Sequence, residues 1–183
     1  ITFYHILSLL CNITLLTLHA KYLYSLFVLR MRVQSFNIKD MKVLKFGGTS
    51  VGSVASILSL KRIVEKEARC QPIVVVVSAL GGITDKLIST SQLAKDGDDG
   101  WKQSFEEIVS RHHKMIEAII TDPKDREDLF NRVDKLFEQL HSIYFGVYLI
   151  HDLSHKTQDT IVSYGERLSS NIVATLVKGT KWM

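Results

Sequence analysis

The sequence predicts an α/β fold built on a parallel sheet, and three features predict it. A short apolar strand over residues 43–46 runs straight into Gly47-Gly48. A helical stretch follows, in which Val54, Ile57, Leu58, Leu60, Ile63 and Val64 recur at helical spacing while Lys61, Arg62, Glu65, Lys66 and Glu67 fill most of the other face. Pro72 then closes a short linker, and five β-branched residues, Ile73-Val74-Val75-Val76-Val77, read as a strand buried on both faces. Strand, helix, strand is a βαβ unit, whose crossover is expected to be right-handed.

The chain has 183 residues, 46% of them hydrophobic, enough for one core of ordinary size. Its net charge of +4 is unevenly spread. Residues 1–40 carry Lys21, Arg30, Arg32 and Lys39 against Asp40, while residues 41–183 hold 19 basic and 18 acidic side chains. A basic pI would ordinarily suggest nucleic acid or membrane, but no basic stripe with interleaved aromatics occurs, so no nucleic-acid partner is expected. Two cysteines, Cys11 and Cys70, make no disulfide framework and suit a reducing cytoplasm.

Residues 1–29 are apolar and leucine-rich, and residues 1–20 nearly meet the criterion for a membrane helix. The first charge, Lys21, comes after the apolar run, which is the wrong order for a signal peptide. The favoured reading is an extension outside the fold, with the natural start at Met31 or Met41; the alternative is an anchor or targeting segment.

The first glycine loop suits a phosphate. Gly47 and Gly48 let backbone amides approach an anion closely, Lys45 adds a full charge, and a helix beginning near Ser53 would add its dipole. An ordinary strand-to-helix turn is the plainer reading. A P-loop is excluded, because Ser53 and Val54 stand where Lys and Ser/Thr are required after Gly52, and Gly-x-Gly-x-x-Gly fails at Thr49.

A second loop, Ser78-Ala79-Leu80-Gly81-Gly82-Ile83-Thr84, sits at the carboxyl end of the next strand, where such sheets bind ligands. Thr84 equally reads as the cap of a helix over residues 85–95. Residues 96–100 form an acidic turn that lacks EF-hand spacing. Two amphipathic helices are expected over residues 101–121 and 124–150, the second with Leu129, Phe130, Val133, Leu136, Phe137, Leu140, Ile143 and Tyr144 on one stripe. His151-Asp152-Leu153-Ser154-His155 imitates His-Glu-x-x-His, but Asp replaces Glu and the stretch reads as a loop or helix start, so no metal site is assigned. Two short helices, residues 157–166 and 167–177, are expected on either side of an interruption at Gly165. There Glu166 reads either as a helix N-terminal carboxylate or as a binding group.

The string Lys45-Phe46-Gly47-Gly48-Thr49-Ser50-Val51 resembles the N-terminal signature of aspartate kinases, in the amino-acid kinase family. The spacing of Ser78 and Thr84 is similar to the second signature, and Ser163-Tyr164-Gly165-Glu166 resembles the third. The resemblance implies an α/β, parallel-sheet three-layer sandwich of the amino-acid kinase type, incomplete here, with a helical insertion at about residues 101–150. It covers residues 41–183, and Met41 falls where such kinases begin.

The same resemblance implies a chemistry and a set of residue roles. The implied activity is transfer of the ATP γ-phosphoryl, with Mg²⁺, to the β-carboxylate of L-aspartate, opening the route to threonine, methionine and lysine. By resemblance Lys45 is catalytic; Lys45, Phe46, Gly47, Gly48 and Ser78 face the nucleotide phosphates; Thr49, Ser78, Thr84 and Glu166 face aspartate, with Glu166 on its α-amino group. The family's adenine-binding strands, regulatory domains and fused dehydrogenase have no counterpart here, so the chain is expected to be the front of a longer, homo-oligomeric enzyme and inactive alone. The rivals are another small-molecule kinase of the same fold and a membrane-tethered interaction module.

Overall fold

A computed structural model describes residues 41–177. The extension over residues 1–40, with its possible anchor, lies outside the described residues. Strand β1 (Lys42–Phe46) and strand β2 (Ile73–Val77) pair in parallel, with Lys45 opposite Val76 and Phe46 opposite Val77. Helix α1 (Val54–Ala68) connects them. Its start is specified locally: the Ser53 hydroxyl accepts from the Ser56 amide at 3.2 Å, and the Ser56 hydroxyl accepts from the Ser53 amide at 3.0 Å. Ile57, Leu60 and Val64 form its buried stripe.

The two-sided burial expected of β2 is not found among the described residues. Leu44, Phe46, Ile73, Val75 and Val77 pack against the core, whereas Val43 and Val76 are 63% and 43% exposed on the other face. Side chains alternate across a strand, and the described helices that touch β2, α1 and the last helix, pack against the core-facing set.

Four longer helices follow: α2 (Ile83–Lys95), α3 (Gly100–Ile119), α4 (Pro123–Ile150) and α5 (His155–Leu176). They bury one continuous cluster that includes Leu87, Trp101, Ile108, Ile116, Leu129, Leu140, Tyr144, Leu168 and Ile172. Two of the boundaries have a plain chemical cause. The last carbonyls of α2 are satisfied by the Gly97 amide to Ala94 O and the Asp98 amide to Leu93 O, a geometry that needs Gly97 at φ 71°. The Asp122 carboxylate caps α4 by accepting from the Asp125 amide, with Pro123 in the first turn.

Three expectations need correction. Helix α2 begins at Ile83, not Asp85, and its cap is Gly82 at φ 80°, so Thr84 lies inside the first turn. Residues 157–177 are not two short helices; α5 runs unbroken through Gly165. Its N-cap is Ser154, which puts Glu166 in mid-helix and removes the reading of Glu166 as an N-terminal carboxylate. Residues 151–155 are a loop and helix start, as expected, since His151 ends α4 at φ 53° and His155 opens α5.

Candidate active site

The site forms where β1 and β2 end side by side. The Ser78 amide donates to Phe46 O at 3.0 Å, carrying the ladder one residue beyond the strands and holding both loops in register. Gly47 and Gly48 then lead into a 3-10 turn (Gly48–Val51), and Gly52 precedes the Ser53 cap of α1.

The loops touch backbone to backbone. A methyl group added at Gly52 would lie 3.0 Å from Gly48 O, and one added at Gly81 would lie 3.2 Å from the same oxygen. At both positions a side chain would press on a backbone oxygen, so the close approach of backbone segments, not φ, favours glycine.

Helix α5 crosses beneath the second loop and grips it three times. Glu166 Oε1 accepts from the Ala79 amide at 3.3 Å. The buried Ser169 hydroxyl donates to Ser78 O at 2.7 Å. Gly165 makes the approach possible: a methyl group there would stand 2.7 Å from Ala79 Cβ. The glycine expected to interrupt a helix instead lets a continuous helix dock.

The site residues named from sequence fall into two groups. Gly48, Phe46, Ser78 and Glu166 are joined to one another through these contacts. Lys45, Gly47, Thr49 and Thr84 share the same end of the sheet without side-chain hydrogen bonds to that group among the described residues. Lys45 is exposed and forms no ion pair among those residues, which leaves its charge available to an anion. Thr84 is half-buried in the first turn of α2, whose first amide, that of Ile83, donates to Leu80 O. Among the described residues, no three His, Cys, Asp or Glu side chains gather as a metal site.

Sequence reasoning missed Ser169, Arg111 and the packing role of Gly165. Ser169 carried a faint signal, a small polar residue three positions after Glu166 on an apolar stripe. Arg111 carried none, because its partners are backbone carbonyls 30 and 59 residues away.

A model of the amino acid kinase family matches residues 40–182. The bifunctional aspartokinase/homoserine dehydrogenase of Buchnera aphidicola is 30% identical over 156 residues, covering 78% of this chain and 18% of that protein. The chloroplastic bifunctional aspartokinase/homoserine dehydrogenase 2 of Arabidopsis thaliana is 24% identical over 143 residues, covering 76% of this chain and 15% of that protein. The chain thus spans less than a fifth of either relative. E. coli aspartokinase III, solved in complex with aspartate and ADP, superposes with a TM-score of 0.65 at 23% identity, covering 76% of this chain and 29% of that one. The two glycine loops, the helix that carries Glu166 and the family match lead to one assignment: this chain belongs to the amino acid kinase family.

Proposed function

We propose that this chain carries the acceptor and phosphate loops of an aspartate kinase, which transfers the γ-phosphoryl of ATP to the β-carboxylate of L-aspartate. Such a transfer brings two anions together, so positioning and charge neutralisation provide most of the catalysis. Lys45 supplies the charge, and Phe46, Gly47, Gly48 and Ser78 line the phosphate side. Thr49, Ser78, Thr84 and Glu166 line the aspartate side, with Glu166 holding the α-ammonium by a charge-assisted bond. Mg²⁺, where bound, would accompany the ATP phosphates and neutralise part of their charge.

The observation that carries this reading is the contact of Glu166 with the Ala79 amide, which brings the third signature against the second although 87 residues separate them. The Buchnera and Arabidopsis relatives are aspartokinases, and the solved neighbour was crystallised with aspartate and ADP. No described helix is long and apolar enough to cross a membrane. The exposed free Cys70 suits a reducing compartment, and we assign the protein to the cytoplasm, as part of a homo-oligomer.

The test is an NMR titration of the chain with L-aspartate, L-glutamate and ATP. Saturable shifts at Ser78, Thr84 and Glu166 with L-aspartate are expected. A preference for L-glutamate or another acceptor would transfer the reading to a different small-molecule kinase.

A further inference from the structure

Arg111, on α3, reaches from the helical part of the domain to both glycine loops. Its Nη2 donates to Gly81 O at 2.7 Å and lies 3.5 Å from Gly52 O. The two carbonyls belong to different loops, one after β1 and the other after β2. The same backbones are already in contact, with Gly48 O against both Gly52 and Gly81. Arg111 forms no ion pair among the described residues, so its charge is directed at carbonyl dipoles and not at a carboxylate.

Both contacts come from one guanidinium nitrogen, whose two N–H groups can each be directed at one carbonyl. Bonds from a charged donor are also stronger than neutral ones. The side chain lies along an open groove of about 780 Å³ that is lined also by Lys86, Glu107 and Lys114. Removing it therefore opens no cavity in the core, and its loss acts through the loops it touches.

We propose that Arg111 is a positioning residue that clamps the first glycine loop to the second. The clamp fixes the distance between the Gly47–Gly48 amides and the first turn of α2, where Thr84 lies. It also makes the helical insertion part of the site's support, because α3 carries the clamp. What the clamp positions rests on the aspartate kinase reading; the clamp itself does not.

The experiment compares the wild-type chain with Arg111→Gln and Arg111→Lys by amide hydrogen exchange, L-aspartate titration and thermal melting. With Gln, the amides of Ser50 and Gly52 in one loop and of Ile83 and Lys86 after the other should exchange about tenfold faster, and the Kd for L-aspartate should rise about tenfold. Amides in the middle of α4 and α5 should keep their protection. Lys should restore affinity only in part. Unchanged exchange in both loops, or acceleration after Gly81 alone, would overturn the clamp. If the wild-type chain binds no L-aspartate, the functional reading fails, while the exchange measurement still decides the clamp.

Discussion

Glu166 Oε1 lies 3.3 Å from the amide nitrogen of Ala79, the residue after Ser78. One carboxylate oxygen is therefore engaged in holding the loop that carries the phosphate-side serine. A residue assigned to bind substrate also braces the site, and its substitution has two effects that must be separated.

Glu166→Gln separates them. The amide oxygen still accepts from Ala79, so the fold and the Ser78 loop should be retained, while the charge that would hold an ammonium is gone. The expected outcome is an unchanged melting temperature with a loss of L-aspartate affinity of at least about tenfold, since a hydrogen bond to a charged group contributes about 1.5–3 kcal/mol. Glu166→Ala should lose affinity and also accelerate exchange of the Ala79 amide. Undiminished binding by the Gln variant would refute the substrate role.

Gly165→Ala should destabilise the chain by about 1–3 kcal/mol, because the new methyl group would stand 2.7 Å from Ala79 Cβ and 3.3 Å from Leu87 Cδ1. Adding Ala79→Gly removes the nearest of these atoms and should recover most of the loss. Chemical denaturation of the single and double variants checks this. A single variant as stable as wild type would mean that Gly165 is not needed for docking.

Ser169→Ala leaves the Ser78 carbonyl without its donor from α5, at a site where the serine is fully buried. The bond is partly buried, so a loss of about 0.5–1.5 kcal/mol is expected. Ser169→Cys, similar in size with a weaker donor, should fall between Ala and wild type in urea melts.

His112 makes the helical part acid-sensitive. Burial pushes its pKa down from 6.5 to about 4, against a raising effect from its bond to Ile108 O, and the nearby Arg111 and His113 lower it further. Its Nε2 is buried without a partner. The folded chain therefore keeps His112 neutral while the unfolded chain protonates it at the ordinary value. Stability from this group is complete above pH 6.5 and is lost as the pH falls to about 4, by roughly 3 kcal/mol. In His112→Leu that part of the pH dependence should vanish, which a series of melts between pH 7 and 4 would register. An identical slope in the variant would assign the effect elsewhere.

Much of the fold was legible because its causes are local. The Ser53 cap, the β1 and β2 runs and the helical stripe ending at Tyr144 follow from residue type and spacing, and the helix after Asp122 needed only its cap. Most of the failures come from distant packing, and one is local. Gly165 reads as a breaker in isolation, yet an intact helical ladder tolerates a glycine where another chain segment presses against it. Thr84 reads as a cap, but Gly82 takes that position by adopting positive φ, as a side-chain-free residue can. The β-branched run of β2 specifies a strand without specifying how many layers cover it, and Val76 stays 43% exposed among the described residues.

By itself the sequence determined the strands, the glycine loops, the order of the three signatures and the acid, base and hydroxyl groups from which a phosphoryl-transfer site could be built. These depend on neighbours within a few residues, and local sterics and hydrogen bonding decide them. Only the tertiary structure decided that α5 passes under the second loop, that Ser169 and Glu166 grip Ser78 and Ala79, and that Arg111 ties Gly52 to Gly81. Each of those contacts joins residues tens of positions apart through a backbone group, and a backbone carbonyl or amide is the same for every residue, so no side-chain pattern records it.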